Sequence, residues 1–251
     1  DRSVSRGLGD VYKRQLQDRW NTPCSQLLRE QRVAEHGVFF EWNGKMVEDE
    51  KMEQVNEVQH VYLVGAKSLG AYGGYETFVY KLTEYHQNKR NIKYHVACKA
   101  NGDGCMDENK YEGVTRINDH EFELHNAHCF KINVPQIGPA QAIYYDVAAL
   151  RTCCKHIKKN HISHPIIYIM ACRIGPFARH FYKKIHKLGG TLYLNPDGHE
   201  WLRAKWPTPI RKYWKISEQM MVKYCDLAIC DSVNIAVSYT HLRAHETLSD
   251  L

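Results

Sequence analysis

Long apolar runs are missing from this 251-residue sequence. None approaches the roughly 18 residues that a membrane-crossing helix needs, so no spanning helix is expected. Cys-x-x-Cys pairs are missing too, although nine cysteines are present. An odd number without paired spacing speaks against a disulfide framework. Cys98 in "YHVAC" and Cys230 in "DLAIC" lie in apolar runs, where a free thiol behaves as a small buried hydrophobe. The expected setting is therefore reducing and cytoplasmic. No secretory leader pattern is visible. A large excess of one charge is also lacking: 34 Lys and Arg against 28 Asp and Glu leave +6. That mild excess fits acidic lipids, phosphorylated substrates or nucleic acid without choosing among them. With 43% hydrophobic and 25% charged residues, the composition is that of a globular domain and not a disordered chain.

What is present is an alternation. "HVYLVGA" (60–66) is a short apolar run ending in glycine and reads as a strand. "YETFVYKLTEYHQNK" (75–89) has helical spacing, with Phe78, Leu82 and Tyr85 on one face. "IKYHVACKA" (92–100) is a second strand, and "NGDGCMDENKYEG" (101–113) a turn-rich loop. "VTRIN" (114–118) and "HEFELHNAHCFKINVP" (120–135) read as further strands. Residues 138–160 repeat Ile143, Val147, Leu150 and Cys154 at helical spacing, with Pro139 suited to a first turn. "PIIYIMAC" (165–172) is almost wholly apolar, as a strand buried on both faces must be. A helix over 175–190, a strand over 191–198, a helix over 210–225 and a strand over 226–232 complete the pattern. The expectation is an α/β domain: a Rossmann-like open, mostly parallel sheet with helices on both faces. Ligands of such sheets sit outside the carboxyl ends of the strands. Three unusual segments fall there: Gly65–Gly74, Ala171–Pro176 and Asn195–Trp201. Residues 16–51 are harder to read; a hairpin around Asn43-Gly44 is one expectation.

"GAKSLGAYGGYETFV" (65–79) concentrates glycine between a strand and a helix. Such a loop offers unpaired N–H groups and a positive helix end to an anion. It is not a Walker loop, because no Gly-Lys-Ser/Thr follows, and its glycines have the wrong spacing for G-x-G-x-x-G. A plain structural turn remains the alternative at this point.

"VGAKSLGAYGGYETFVYKL" resembles the opening of a bacterial glycosyltransferase group whose members include rhamnosyltransferases of capsule and cell-wall polysaccharide synthesis. Lys67, Tyr72, Gly73, Gly74, Glu76 and Thr77 fit that pattern, whereas Ser68-Leu69-Gly70 departs from it. "IGPAQAIYYDVAAL" (137–150), "ACRIGPF" (171–177), "NPDGHEWLRAKW" (195–206) and "KYCDLAICDS" (223–232) are similar to the group in the same order. The resemblance implies a GT-B fold, two Rossmann-like halves across a cleft, with this chain holding the first, acceptor-binding half over 52–236. It implies transfer of a sugar, rhamnose from a dTDP-linked donor in the group's rhamnosyltransferases, to a saccharide or lipid-diphosphate-linked saccharide. No separate cofactor is implied; the nucleotide-diphosphate sugar is a substrate. Residues 1–15 and 237–251 resemble translated sequencing-adapter sequence, read-through upstream of a start at Met52 is the other expectation for 16–51, and the donor-binding domain is expected to be missing. The fragment alone is then expected to be inactive. The competing reading is a non-catalytic α/β module that binds a nucleotide or phosphorylated sugar.

Candidate site residues follow. Gly65, Lys67, Gly70, Gly73 and Gly74 are candidates for the donor diphosphate. Asp197 and Glu200 are the candidate catalytic carboxylates, Asp197 orienting an acceptor hydroxyl. Tyr72, Glu76, Arg173, Trp201, Arg203 and Lys205 are candidates for substrate contact. A local alternative pairs Glu200 with Arg203 or Lys205 and places Asp197 in an ordinary Pro-Asp-Gly turn. Arg203, Lys205, Arg211, Lys212 and Lys215, interleaved with Trp206, Tyr213 and Trp214, suit an anionic membrane surface, a lipid-diphosphate acceptor, RNA held by stacking or an ordinary solvated helix. A nucleic-acid partner is not expected. Nor is a metal: His120 and His125 are five apart and not at H-E-x-x-H spacing, and His125 and His128 lack a third ligand.

Overall fold

The structure is a computed structural model that describes residues 33–34, 37–41, 58–70, 72–196, 198–230, 235 and 239. Ten strands form one sheet: β1 (Val33–Ala34), β2 (Gly37–Glu41), β3 (Gln59–Val64), β4 (Ile92–Lys99), β5 (Thr115–Asn118), β6 (Glu121–Leu124), β7 (Ala127–Ile132), β8 (Ile166–Met170), β9 (Thr191–Asn195) and β10 (Leu227–Cys230). Among the described residues, four α-helices lie between them: α1 (Gly74–His86), α2 (Gln141–Lys159), α3 (Gly175–Lys187) and α4 (Thr208–Lys223).

The spatial order is β1-β2-β10-β9-β8-β3-β4-β7-β6-β5. Its six central strands, β7-β4-β3-β8-β9-β10, are all parallel. Numbered by their place in the chain, they run 3-2-1-4-5-6, the doubly wound order that binds ligands where the winding reverses. Here the reversal lies between β3 and β8. The flanking pairs are antiparallel, β5–β6–β7 at one edge and β1–β2–β10 at the other.

Strand–helix alternation is interrupted once, where the sequence reads as a loop and further strands. β4 reaches β7 through a loop and the β5–β6 strands, not through a helix. Antiparallel neighbours need only a tight turn, and His125 and Asn126 supply it with φ of 50° and 58°. Phe122 and Leu124 point inward from this hairpin and fill the place a helix would cover. Each remaining element lies within a few residues of its expected position. The Asn43-Gly44 turn lies outside the described residues; β2, next to it, pairs with β1 and β10.

Two cores line the two faces. On one, α2, α3 and α4 bury Leu150, Ile157, Phe181, Ile185 and Met221 against Tyr62, Val64, Ile167, Ile169 and Leu194. On the other, α1 and the hairpin pack Val79, Phe122 and Leu124 against Leu63, Val96, Cys98 and Met170. Alternate residues of β3 and β8 therefore serve opposite cores, which is why these strands read as continuous apolar runs.

Candidate functional site

The reversal point is built by close backbone approach. Gly65 directly follows β3 with φ of 119°, and a Cβ there would run into the Met170 carbonyl at the end of β8. Only glycine satisfies both demands. Beyond it, the Lys67 N–H donates to Glu76 Oε1 at 2.9 Å, and the Gly70 N–H donates to the Glu76 carbonyl at 3.3 Å. Glu76 lies in the first turn of α1, where the helix dipole favours a carboxylate. It is buried, and its Oε2 fills the space where a Gly73 side chain would project. Part of the anion-holding capacity expected of this loop is thus used by the protein's own Glu76. The Ser68 hydroxyl in the same loop is buried and finds no partner among the described residues.

The Lys67 ammonium meets Asp103 at 3.0 Å in an exposed pair. Lys99 Nζ donates to the Asp103 carbonyl at 2.8 Å, so both lysines gather at the 101–104 loop. Gly74 lies in the first turn of α1 with open space around it, and Tyr72 is fully exposed.

Across the reversal, Arg173 Nη1 donates to the Gly65 carbonyl at 3.0 Å and to both oxygens of Asp146 at 3.2 and 3.3 Å. Asp146 comes from the second turn of α2 and is completely buried. Burial raises its carboxyl to about 6, and the Arg173 charge and hydrogen bonds hold it from rising further. Beside it, the buried Tyr145 hydroxyl lies 2.6 Å from the Ala66 carbonyl and 2.7 Å from the Ala97 carbonyl, which fixes the ends of β3 and β4 together. Sequence reasoning missed both residues. Asp146 looks like one polar residue on an amphipathic helix, and its partner is 27 positions away.

The loop after β8 is pinned by α4. Ser217 Oγ donates to the Cys172 carbonyl at 2.7 Å and accepts from the Gly175 N–H at 2.8 Å. Tyr213 Oη donates to the Arg173 carbonyl at 2.7 Å.

After β9, two glutamates each gather a cluster. Glu200 accepts from Trp206 Nε1 at 2.8 Å, and its oxygens pair with Lys205 and Arg203, both at 2.9 Å. Burial alone would raise its carboxyl, but the hydrogen bonds from Trp206 and Lys205 and the two nearby cations hold it below the usual glutamate range. Glu218, buried on α4, lies 2.8 Å from His199 Nδ1 and accepts from Trp201 Nε1 at 3.2 Å. Lys215 sits over the Trp201 ring, and Arg211 donates to the Trp201 carbonyl. Much of the basic and aromatic series of 203–215 is thus spent on holding this segment in shape. Asp197 lies outside the described residues.

The structure therefore brings the Gly65–Gly74 loop and Arg173 together at the reversal point. Glu200, Trp201, Arg203 and Lys205 form a separate cluster beyond β9. A family model described as a domain of unknown function (DUF1972) matches residues 58–247. The chain belongs to this family. No curated protein matches this DUF1972 chain. Among solved structures, the alpha,alpha-trehalose 6-phosphate synthase of Burkholderia multivorans is similar at 8% identity and a TM-score of 0.34, over 67% of this chain and 38% of that one. The DUF1972 chain thus spans well under half of that structure's length. A TM-score that low carries no weight for fold or function, and the Rossmann-like assignment rests on the strand order. Among the described residues of this DUF1972 chain, no helix is long and apolar enough to cross a membrane.

Proposed function

We propose that this domain is the acceptor-side lobe of a GT-B glycosyltransferase and that it works at the β3/β8 reversal point. The observation that carries the reading is the convergence, at that point, of the Gly65–Gly74 loop, the buried Ser68 hydroxyl without a partner among the described residues and the Arg173–Asp146 pair. The sequence resemblance to the rhamnosyltransferase group supports the same reading. Glycosyl transfer from a nucleotide diphosphate develops negative charge on the leaving group, which donors fixed in advance can stabilise. Lys67 and the loop N–H groups are assigned to that charge, with a dTDP-linked sugar as the donor class. Asp197, Glu200 and the Trp201 face are assigned to the saccharide or lipid-linked saccharide acceptor, and the half-open basic surface of α4 to an anionic membrane.

One observation favours the alternative of a non-catalytic module for a nucleotide or phosphorylated sugar. Both Glu200 oxygens are already engaged, and the carboxyl is held below its usual range. Glu200 would then receive hydroxyl hydrogen bonds and would not take a proton near neutral pH.

The test is transfer from radiolabelled nucleotide-diphosphate sugars to saccharide and lipid-diphosphate saccharide acceptors. It is run with the full-length gene product and with this chain. Transfer by the former, and acceptor binding without transfer by the latter, is expected. A full-length product that binds a nucleotide sugar but neither transfers nor hydrolyses it establishes the module reading instead.

A further inference from the structure

Three histidines far apart in sequence meet between the sheet and α2. His95 on β4 and His128 on β7 are direct partners in the parallel register, so their rings leave the sheet on the same face. His156, in the last turn of α2, comes down onto them. One ligating nitrogen from each of the three lies within 4.8 Å of the others. His95 and His128 are buried, and His156 is half-buried. Because α2 starts at the Ala66 and Ala97 carbonyls and runs back across the sheet, this cluster lies at the opposite end from the reversal-point crevice.

The second nitrogen of each ring is already occupied. His156 Nδ1 lies 2.8 Å from the Tyr62 hydroxyl. His128 Nε2 lies 3.3 Å from Glu121 Oε2. His95 Nε2 lies 2.8 Å from His60 Nδ1. Outer partners of this kind fix the tautomer and the orientation of metal-bound histidines. With an N–H directed at Glu121, neutral His128 presents the Nδ1 lone pair inward; with an N–H directed at Tyr62, His156 presents Nε2. The two Nδ1 atoms of His95 and His128 are 3.4 Å apart. Two nitrogens at about 2.0–2.1 Å from a tetrahedral ion are separated by about 3.3 Å, so this edge of a site is already set. His156 needs a small ring movement to complete it.

We propose that His95, His128 and His156 form a site for a divalent transition-metal ion, zinc by the chemistry of three imidazoles, with water in the fourth position. Three neutral imidazoles suit such an ion, and hard oxygen-seeking cations would be poorly served by them. The ion would tie the end of α2 to β4 and β7. No sequence motif announces the site, because its ligands are separated by 33 and 28 residues and come from three elements.

The test uses the whole chain, stripped with a chelator and titrated with cobalt(II) and zinc(II). One equivalent of cobalt with the visible bands of a tetrahedral nitrogen site, displaced by zinc, is expected, as is a rise in melting temperature with zinc. His156→Gln lies at a helix end and is expected to keep the fold while losing the bands. Glu121→Gln touches no ion and is expected to weaken uptake by about 10–100-fold. Absence of tetrahedral cobalt bands overturns the proposal and leaves a hydrogen-bonded chain from His60 through His95 and His128 to Glu121. Bands that persist unchanged in a folded His156→Gln variant overturn it equally, because the ion then sits on other histidines.

Discussion

Replacing Arg173 with methionine should destabilise the protein in a strongly pH-dependent way. Arg173 is the one cation bonded to Asp146 among the described residues, and the carboxylate is fully buried. Removing one partner of a buried ion pair costs about 3–5 kcal/mol when the other stays charged. Asp146 has an escape, because burial already raises it to about 6 from an ordinary 3.8. The sign follows from proton binding: between those values the folded state holds more protons than the unfolded state. Wild-type stability therefore falls as pH rises through that window, by on the order of 3 kcal/mol at 1.36 kcal/mol per unit, and is level above it. Without Arg173 the carboxyl rises further, and the fall continues past neutrality. The penalty of the substitution should thus be small near pH 5, where Asp146 is protonated in both proteins and mainly the bond to the Gly65 carbonyl is lost. It should grow by up to about 2.7 kcal/mol by pH 8, at 1.36 kcal/mol for each unit above the wild-type value of about 6. Urea unfolding of both proteins at intervals from pH 5 to 8 measures the difference directly. A penalty that does not change with pH would refute the coupling between Arg173 and Asp146.

Three further outcomes follow from the same geometry. Gly65→Ala should abolish stable folding or lower the melting temperature severely, since the new methyl group meets the Met170 carbonyl at a φ of 119°; thermal unfolding by circular dichroism decides it. Ser217→Ala should cost about 1–3 kcal/mol in urea unfolding, because the buried Gly175 N–H loses its acceptor and the Cys172 carbonyl its donor. Glu218→Ala should remove the acceptor of the Trp201 indole N–H and one partner of His199, seen as a red shift and stronger quenching of tryptophan fluorescence, while the far-ultraviolet spectrum is retained.

The fold was legible where one residue's pattern mirrors its surroundings. The "IIYIM" of β8 is apolar throughout because cores press on both of its faces. The alternation of Phe122 and Leu124 announced a one-sided strand, and the glycine pair at 189–190 marked the end of α3. Long-range pairings left no such trace. Nothing in a helix with Ile143, Val147 and Leu150 on one face tells that Asp146 turns inward to an arginine on another loop. The Glu76 carboxylate could be placed in a helix first turn from sequence, but not its occupation of the glycine loop. The histidine cluster depends on the register of β4 against β7, which no local spacing encodes. The alternative weighed for Glu200, pairing with Arg203 or Lys205, is realised with both at once.

The central claim is that the β3/β8 reversal point takes a nucleotide-diphosphate sugar on its loop and a saccharide beside it. The most direct measurement is the amide spectrum of the isotope-labelled chain, titrated separately with dTDP-rhamnose and with oligosaccharide acceptors. The account predicts saturable shifts in the 65–74 and 171–175 loops with the nucleotide sugar and in the 198–206 segment with an acceptor. It also predicts none around His95, His128 and His156. Spectra unmoved by any of these ligands, or shifts confined to the far end of the sheet, would contradict it.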